Sequence, residues 1–240
     1  MEWGIVPVVT LEDIKKNEEI MALIREANNV LAAIGYTEHG QRHVGYVSNT
    51  AAAILKKLDF PERTVELAAI TGWVHDVGNV VNRKHHGLNG AALLFPLLRE
   101  MGLGMAEIST ILSATGYHEE ETGTPVSDVS AALIIADKSD AHRTRVRKGK
   151  YDPYDIHDRV NYSIKKNWVD VDPAKRVIRY EMVMDNTSSV MEFMQIFLKR
   201  MTMCEKAAEF LKCRFDLVVN GVIINNQRAN GKDGTAVGLV

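Results

Sequence analysis

Cysteine is nearly absent: the 240 residues hold two, Cys204 and Cys213, with no CxxC pair and no zinc-type cysteine spacing. Both lie in an apolar C-terminal stretch, so they read as buried thiols of a reducing compartment rather than as a disulfide framework. Long hydrophobic runs are missing too, which leaves no candidate membrane span. The opening MEWGIVPVV has no basic leader, carries Pro7 and is too short for a signal core. Neither sign of charge dominates: 29 Lys and Arg against 31 Asp and Glu leave a formal net charge of −2. Nucleic acid and anionic membranes therefore gain no bulk attraction, and any affinity for phosphate must come from local patches. The expectation is a cytoplasmic protein with a small-molecule partner, no membrane and no nucleic acid.

What is present is a chain 46% hydrophobic and 25% charged, enough for one sizeable core or one main domain with a small appendage. Apolar periodicity predicts a helix from Thr10, paired with Asp13 as a capped start, through Ile34. Others follow at about Gln41–Leu58, Thr64–Val77, Leu88–Met101 and Met105–Tyr117. Ser127 then caps a long one running through Ala136 to about Lys148. After Lys150 the texture changes. KGKYDPYD is polar and broken by Pro153, NYSIKKNWVDVDP and KRVIRYEMVMD read as strands around a turn, Ser188 opens a long amphipathic helix, and RFDLVVNGVII reads as a last strand. The predicted class is mainly α, a helical bundle with a small C-terminal α+β appendage of strand, strand, helix and strand. The corresponding division is 1–150 for the helical domain, 151–225 for the appendage and 226–240 for an Asn/Gly-rich loose tail.

Five of the eight histidines lie at or beside positions suited to metal ligands in the helical region. His75 and Asp76 are consecutive at the end of an apolar helix, just before Gly78 releases the chain. Consecutive side chains on a helix point about 100° apart, yet both reach one ion if the helix end lies against it. Either residue could equally cap a helix. His43 opens another apolar helical pattern, and Asp137 interrupts the apolar face of Ile134, Ile135 and Ala136. A carboxylate there is costly to bury unless paired or metal-bound. One His, a His-Asp pair and a late Asp make an N/O donor set that suits Mn, Fe, Zn, Ni or Co rather than Ca.

His43, His75-Asp76 and Asp137, set in HVGYVSNTAAAIL, VHDVGN and LIIADKSDA, resemble the HD superfamily of metal-dependent phosphohydrolases over about Gly40 to Arg147. The resemblance implies an all-helical core, a divalent transition metal held by those four residues, and hydrolysis of phosphate esters. It extends to metal count, because members with two ions have histidines at places matched here by His86, with Gly90 four residues on, and by His118. Asp76, His86 and His118 would then hold a second ion, with Asp76 bridging; His85 competes with His86 for that place. The sequence departs from the branch that cleaves cyclic dinucleotides, having Tyr117-His118-Glu119 and Gly123-Thr124-Pro125 where that branch has its signatures.

Phosphate chemistry also needs cations. Lys138 follows the last ligand and is assigned catalytic and substrate-binding roles, beside Asp76 as a catalytic residue and Arg83 as a substrate-binding one. Arg42, Lys84 and Arg145 are further candidates, Arg145 on about the same helix face as Lys138. The basic run at 142–150 reads as a helix C-terminus meeting the negative end of its dipole. His39 is a supporting or substrate-side group, and Glu119 and Glu120 are acidic loop residues expected to face water. Two other functions use the same ligands: a di-iron oxygenase, and a regulatory module whose appendage senses a ligand or forms a homodimer.

Overall fold

The computed structural model describes residues 8–225. It is mainly helical, with a small sheet at the C-terminal end, in agreement with the predicted class. Thr10 and Asp13 form a reciprocal capping box at the start of α1 (Leu11–Lys16). The single helix predicted from Thr10 to Ile34 is in fact two. Asn17 is extended, and its side chain accepts from Ile20 N to begin α2 (Glu18–Ala33). An asparagine that can satisfy a free N–H outside a helix competes with continuation of the one before it.

The bundle is built from α3 (Gln41–Lys57), α4 (Glu62–Val74), α5 (His86–Glu100), α6 (Met105–Gly116) and α7 (Asp128–Lys138), of which α3 to α6 alternate in direction. Helix α7, capped by Ser127 as predicted, is buried almost along its whole length, from Val129 to Ala136 and again at Lys138. It forms the centre of the helical core. Close contact between α3 and α4 depends on Gly72: a Cβ there would lie 2.6 Å from the Ser48 Cα and 2.7 Å from its nitrogen.

Helix α7 was expected to reach Lys148 but ends at Lys138. Beyond Ser139 the chain turns, passes through extended His142, and makes only a short 3-10 turn at Arg143–Arg145. The basic run is thus not a helix terminus. Asp140 and Arg145 are drawn into a buried polar network, while Arg147 binds the carbonyls of Asn28, Tyr36 and Thr37. A further helix, α8 (Ile156–Ser163), stands where the first strand was predicted to begin; Asp155 caps it on His157 N.

Strands β1 (Ile164–Asp172) and β2 (Val177–Met184) pair antiparallel, and α9 (Val190–Phe210) carries the chain back to β3 (Arg214–Val219), parallel to β2. The last predicted strand is two, because Asn220 and Gly221 turn at positive φ before β4 (Val222–Ile223). Helix α9 begins one residue after the expected Ser188: Ser189 makes the capping box with Glu192, and the Ser188 hydroxyl donates to the same carboxylate. One hydrophobic cluster runs from the bundle through Cys204, Phe193 and Phe197 of α9 into the sheet at Tyr180 and Phe215. Both cysteines are buried and unpaired. No helix among the described residues is long and apolar enough to cross a membrane. The predicted tail at 226–240 lies outside the described residues.

Replacing Gly72 by Ala is expected to cost about 1–3 kcal/mol through overpacking of α3 on α4, read as a lowered denaturant midpoint at unchanged m-value. A second test concerns Glu192, held down to about 2 by Arg159, then Ser188 and Ser189. A carboxylate depressed in the folded state stabilises it above the unfolded value of about 4.5, and the contribution is lost as pH falls toward 2. The melting-temperature gap between the native protein and Glu192→Gln should therefore be present at neutral pH and close across that window.

Candidate metal centre

Five helix ends converge at one end of the bundle. His43 lies in the first turn of α3, His75 is the residue after α4, and His86 is the first residue of α5. His118 follows α6 by two residues, and Asp137 occupies the last turn of α7. Asp76 reaches the same point because the chain leaves α4 in a tight turn through Val77–Val80. That turn is seated on α5 without a gap. A Cβ on Gly78 would fall 1.9 Å from the His86 carbonyl oxygen and 2.3 Å from the Gly90 nitrogen, so only glycine allows the doublet and His86 to approach this closely.

The six residues form one buried cluster in which donor atoms lie within 4.8 Å in overlapping triplets: His43, His75 and Asp76; His75, His118 and Asp137; Asp76, His86 and His118. His43 Nε2 is 3.3 Å from His75 Nε2, 3.4 Å from Asp137 Oδ1 and 3.5 Å from Asp76 Oδ2. On the other side of Asp76, His86 Nε2 is 2.9 Å from His118 Nε2 and 3.3 Å from Asp76 Oδ1. Ligand bonds of about 2.0–2.1 Å separate neighbouring donors by about 3.3–3.4 Å around a tetrahedral ion, which is the spacing of the first group.

Proton placement strengthens the fit to a cation. His75, His86 and His118 have Nδ1 at 2.9, 2.9 and 2.5 Å from the carbonyl oxygens of Gly72, Arg83 and Thr115. A carbonyl only accepts, so each Nδ1 carries the hydrogen and each neutral ring turns the lone pair of Nε2 into the cluster. The His86 and His118 lone pairs then face one another at 2.9 Å, which repels unless something positive lies between them. A proton is poorly suited to that place, because burial above all pushes His118 down to about 4. Asp76 Oδ2 is buried and has no hydrogen-bond partner among the described residues. Facing lone pairs and an orphaned carboxylate oxygen are what a divalent cation satisfies.

Both cluster carboxylates stay ionised. Burial alone would raise them; Lys138 beside it holds Asp137 well below the usual range, and Asp76, set among the imidazoles of His75, His86 and His118, lies well below it too. Lys138 is buried, with Nζ 2.7 Å from Asp137 Oδ2 and 3.1 Å from Glu120 Oε1. Burial draws its ammonium down, yet these two carboxylates keep it above its ordinary value.

Several supporting residues differ from expectation. Arg42 is not free to hold phosphate: it pairs with Glu38 and makes two parallel bonds to Asp140. Arg145 does not share a helix face with Lys138 but is buried against Asp140 and donates to His39 Nε2, while His39 Nδ1 donates to the Thr37 carbonyl. Glu119 and Glu120 do not face water. Glu119 accepts from Gly87 N at the start of α5, and Glu120 bridges Lys138 and Arg200. Arg83 lines the site and donates to Asn79 Oδ1; Lys84 lines only the outer cleft; His85, at positive φ, precedes α5 and points His86 rather than itself at the cluster.

Asp140 was missed. Its Oδ2 is 2.6 Å from His43 Nδ1, which fixes the tautomer that turns His43 Nε2 inward. Its own charge is held well below the usual range, against burial, by Arg145, His43 and Arg42. The signal was a fourth polar residue in succession past the apolar run, in ADKSDA. Arg200 and Phe197 of α9 also line the site, and no local pattern announces them. A chamber of about 20 Å³ beside Asp76 and Asp137 opens on a cleft of about 670 Å³.

No family model matches the chain. It is 23% identical over 217 residues to the uncharacterized protein MJ1020 of Methanocaldococcus jannaschii, covering 80% of this chain and 82% of that protein.

Partners that orient a ligating histidine typically contribute 10–100-fold to metal affinity. Asp140→Asn is accordingly expected to weaken Mn²⁺ or Zn²⁺ binding by about that factor, measured by competition with a chromophoric chelator. Unchanged affinity would remove His43 from the ligand set.

Proposed function

We propose that the chain is an HD-type metal-dependent phosphohydrolase that cleaves a phosphate ester of a small molecule such as a nucleotide. The observation that carries the proposal is the facing lone pairs of His86 and His118 beside the orphaned Asp76 oxygen, in a site that Arg83 and Arg200 also line at the mouth of a cleft. The ordered set His43, His75-Asp76, Asp137 lends it the family resemblance, and His86 and His118, beside Asp76, would hold a second ion.

When bound, such ions supply Lewis acidity and lower the pKa of water from 15.7 toward about 7, so that hydroxide is available at neutral pH. The protein's own contribution is placement and charge. Asp140 holds the proton of His43 on Nδ1, leaving Nε2 as a donor toward the cluster. Lys138 occupies Asp137 Oδ2, so that Oδ1 is the oxygen presented to His43 and His75. Glu119 ties the first turn of α5 and keeps the His86 ring in register with His118. Arg83, Arg200 and Lys138 give positive charge where a phosphoryl group would sit, which lowers the cost of its developing negative charge.

Protein purified without added metal is expected to carry a transition metal and to release phosphate from members of a nucleotide and sugar-phosphate panel. Asp76→Ala should lose most of that metal and about 10³-fold or more of the hydrolysis. Hydrolysis that survives the substitution, or oxygen uptake without phosphate release, would sink the proposal.

A further inference from the structure

Three arginines line both the small chamber and the cleft; Arg145 is taken up by Asp140, and the other two stand on separate elements. Arg83 comes from the loop before α5; Arg200 comes from the middle of α9, in the C-terminal portion of the chain. They are built alike. The Arg83 guanidinium lies over the Tyr36 ring at 5.4 Å, and the Arg200 guanidinium lies over Phe197 at 4.9 Å. Each is anchored through one nitrogen: Arg83 Nη1 donates to Asn79 Oδ1 and also lies 3.4 Å from His86 Nε2, and Arg200 Nε donates to Glu120 Oε1. Among the described residues, Arg83 Nη2 and both terminal nitrogens of Arg200 have no acceptor. An arginine stacked on a ring and pinned at one edge has given up its rotamer freedom while keeping donors unused, the preorganised state of an anion-binding fork.

We propose that Arg83 and Arg200 together form a clamp for the phosphate of the substrate, so that the C-terminal α9 completes the binding site and the alcohol portion of the ester extends into the cleft. The proposal rests on the phosphohydrolase reading for the word substrate, but the clamp itself is a claim about phosphate binding. The chamber, about 20 Å³, is too small for an ester, whereas the cleft of about 670 Å³ has the size of a small-molecule site. The junction between them is where a tetrahedral anion can touch both the cluster and the two guanidinium edges. Lys138 cannot substitute for them, since Asp137 and Glu120 already take its ammonium. Glu120 holds Arg200 at the opening rather than cancelling it, because Lys138 shares the same carboxylate.

The test is calorimetric titration of manganese-loaded, full-length protein with inorganic phosphate. Arg200→Ala and Arg83→Ala should each weaken phosphate binding by about tenfold or more, with manganese content and melting temperature as in the native protein. Arg200→Lys should remain weakened, because an ammonium lacks the planar fork. Arg200→Gln, which retains a donor for Glu120, covers the case in which the alanine variant folds poorly. Phosphate affinity unchanged in Arg200→Gln or Arg200→Ala would overturn the clamp while leaving hydrolysis untouched. Arginine-dependent phosphate binding in a protein that hydrolyses no phosphate ester would support the clamp and defeat the phosphohydrolase reading instead.

Discussion

The structure is organised around a repulsion. Lone pairs of imidazole nitrogens and carboxylate oxygens are gathered within 4.8 Å of one another in a buried site, an arrangement unfavourable in itself. It persists because each group is held from behind. Backbone carbonyls of Gly72, Arg83 and Thr115 pin three imidazoles through Nδ1, and Asp140 pins the fourth. The bundle core supplies the stiffness: α7 is buried along nearly its whole length, and Gly72 and Gly78 let backbones meet where any side chain would force them apart. A cation placed among the donors removes the repulsion and leaves the restraint, which is the physical meaning of a preorganised metal site.

Charge around the cluster is arranged in two shared carboxylates. Asp140 takes Arg42 and Arg145 as well as His43, and Glu120 takes Lys138 and Arg200. Each shared carboxylate lets cations stand close together in a buried place without mutual repulsion dominating. Asp140 lies behind the ligands and serves their orientation. Glu120 lies at the mouth and fixes the positions of Lys138 and Arg200 there.

Much of this was legible in the sequence, for identifiable reasons. Helix periodicity located the bundle helices, and the polar interruption of an apolar run singled out Asp137. The spacing from His86 to Gly90 separated His86 from His85, and the close contact of Gly90 with the turn after Asp76 gives that spacing its physical sense. What failed was local. Asn17 splits α1 from α2 by capping the second, α7 stops at Lys138 because Asp140 and Arg145 turn inward, and the short polar helix α8 has too little apolar pattern to stand out. Arg200 and Phe197 were beyond reach for a different reason. Their place in the site depends on how α9 packs against α7, and no spacing within α9 encodes that.

The ligands sit at helix ends: α3 and α5 turn their N-terminal ends toward the site, and α4, α6 and α7 their C-terminal ends. At the opposite end lie the connections 58–61 and 101–104, which carry none of the six donors. The connections after α4 and α6, by contrast, carry His75, Asp76 and His118. Loops at the donor-free end can lengthen, shorten or accept a fused domain over evolutionary time while the donor geometry stays as it is, since changes there need not propagate along a rigid helix as more than a small displacement.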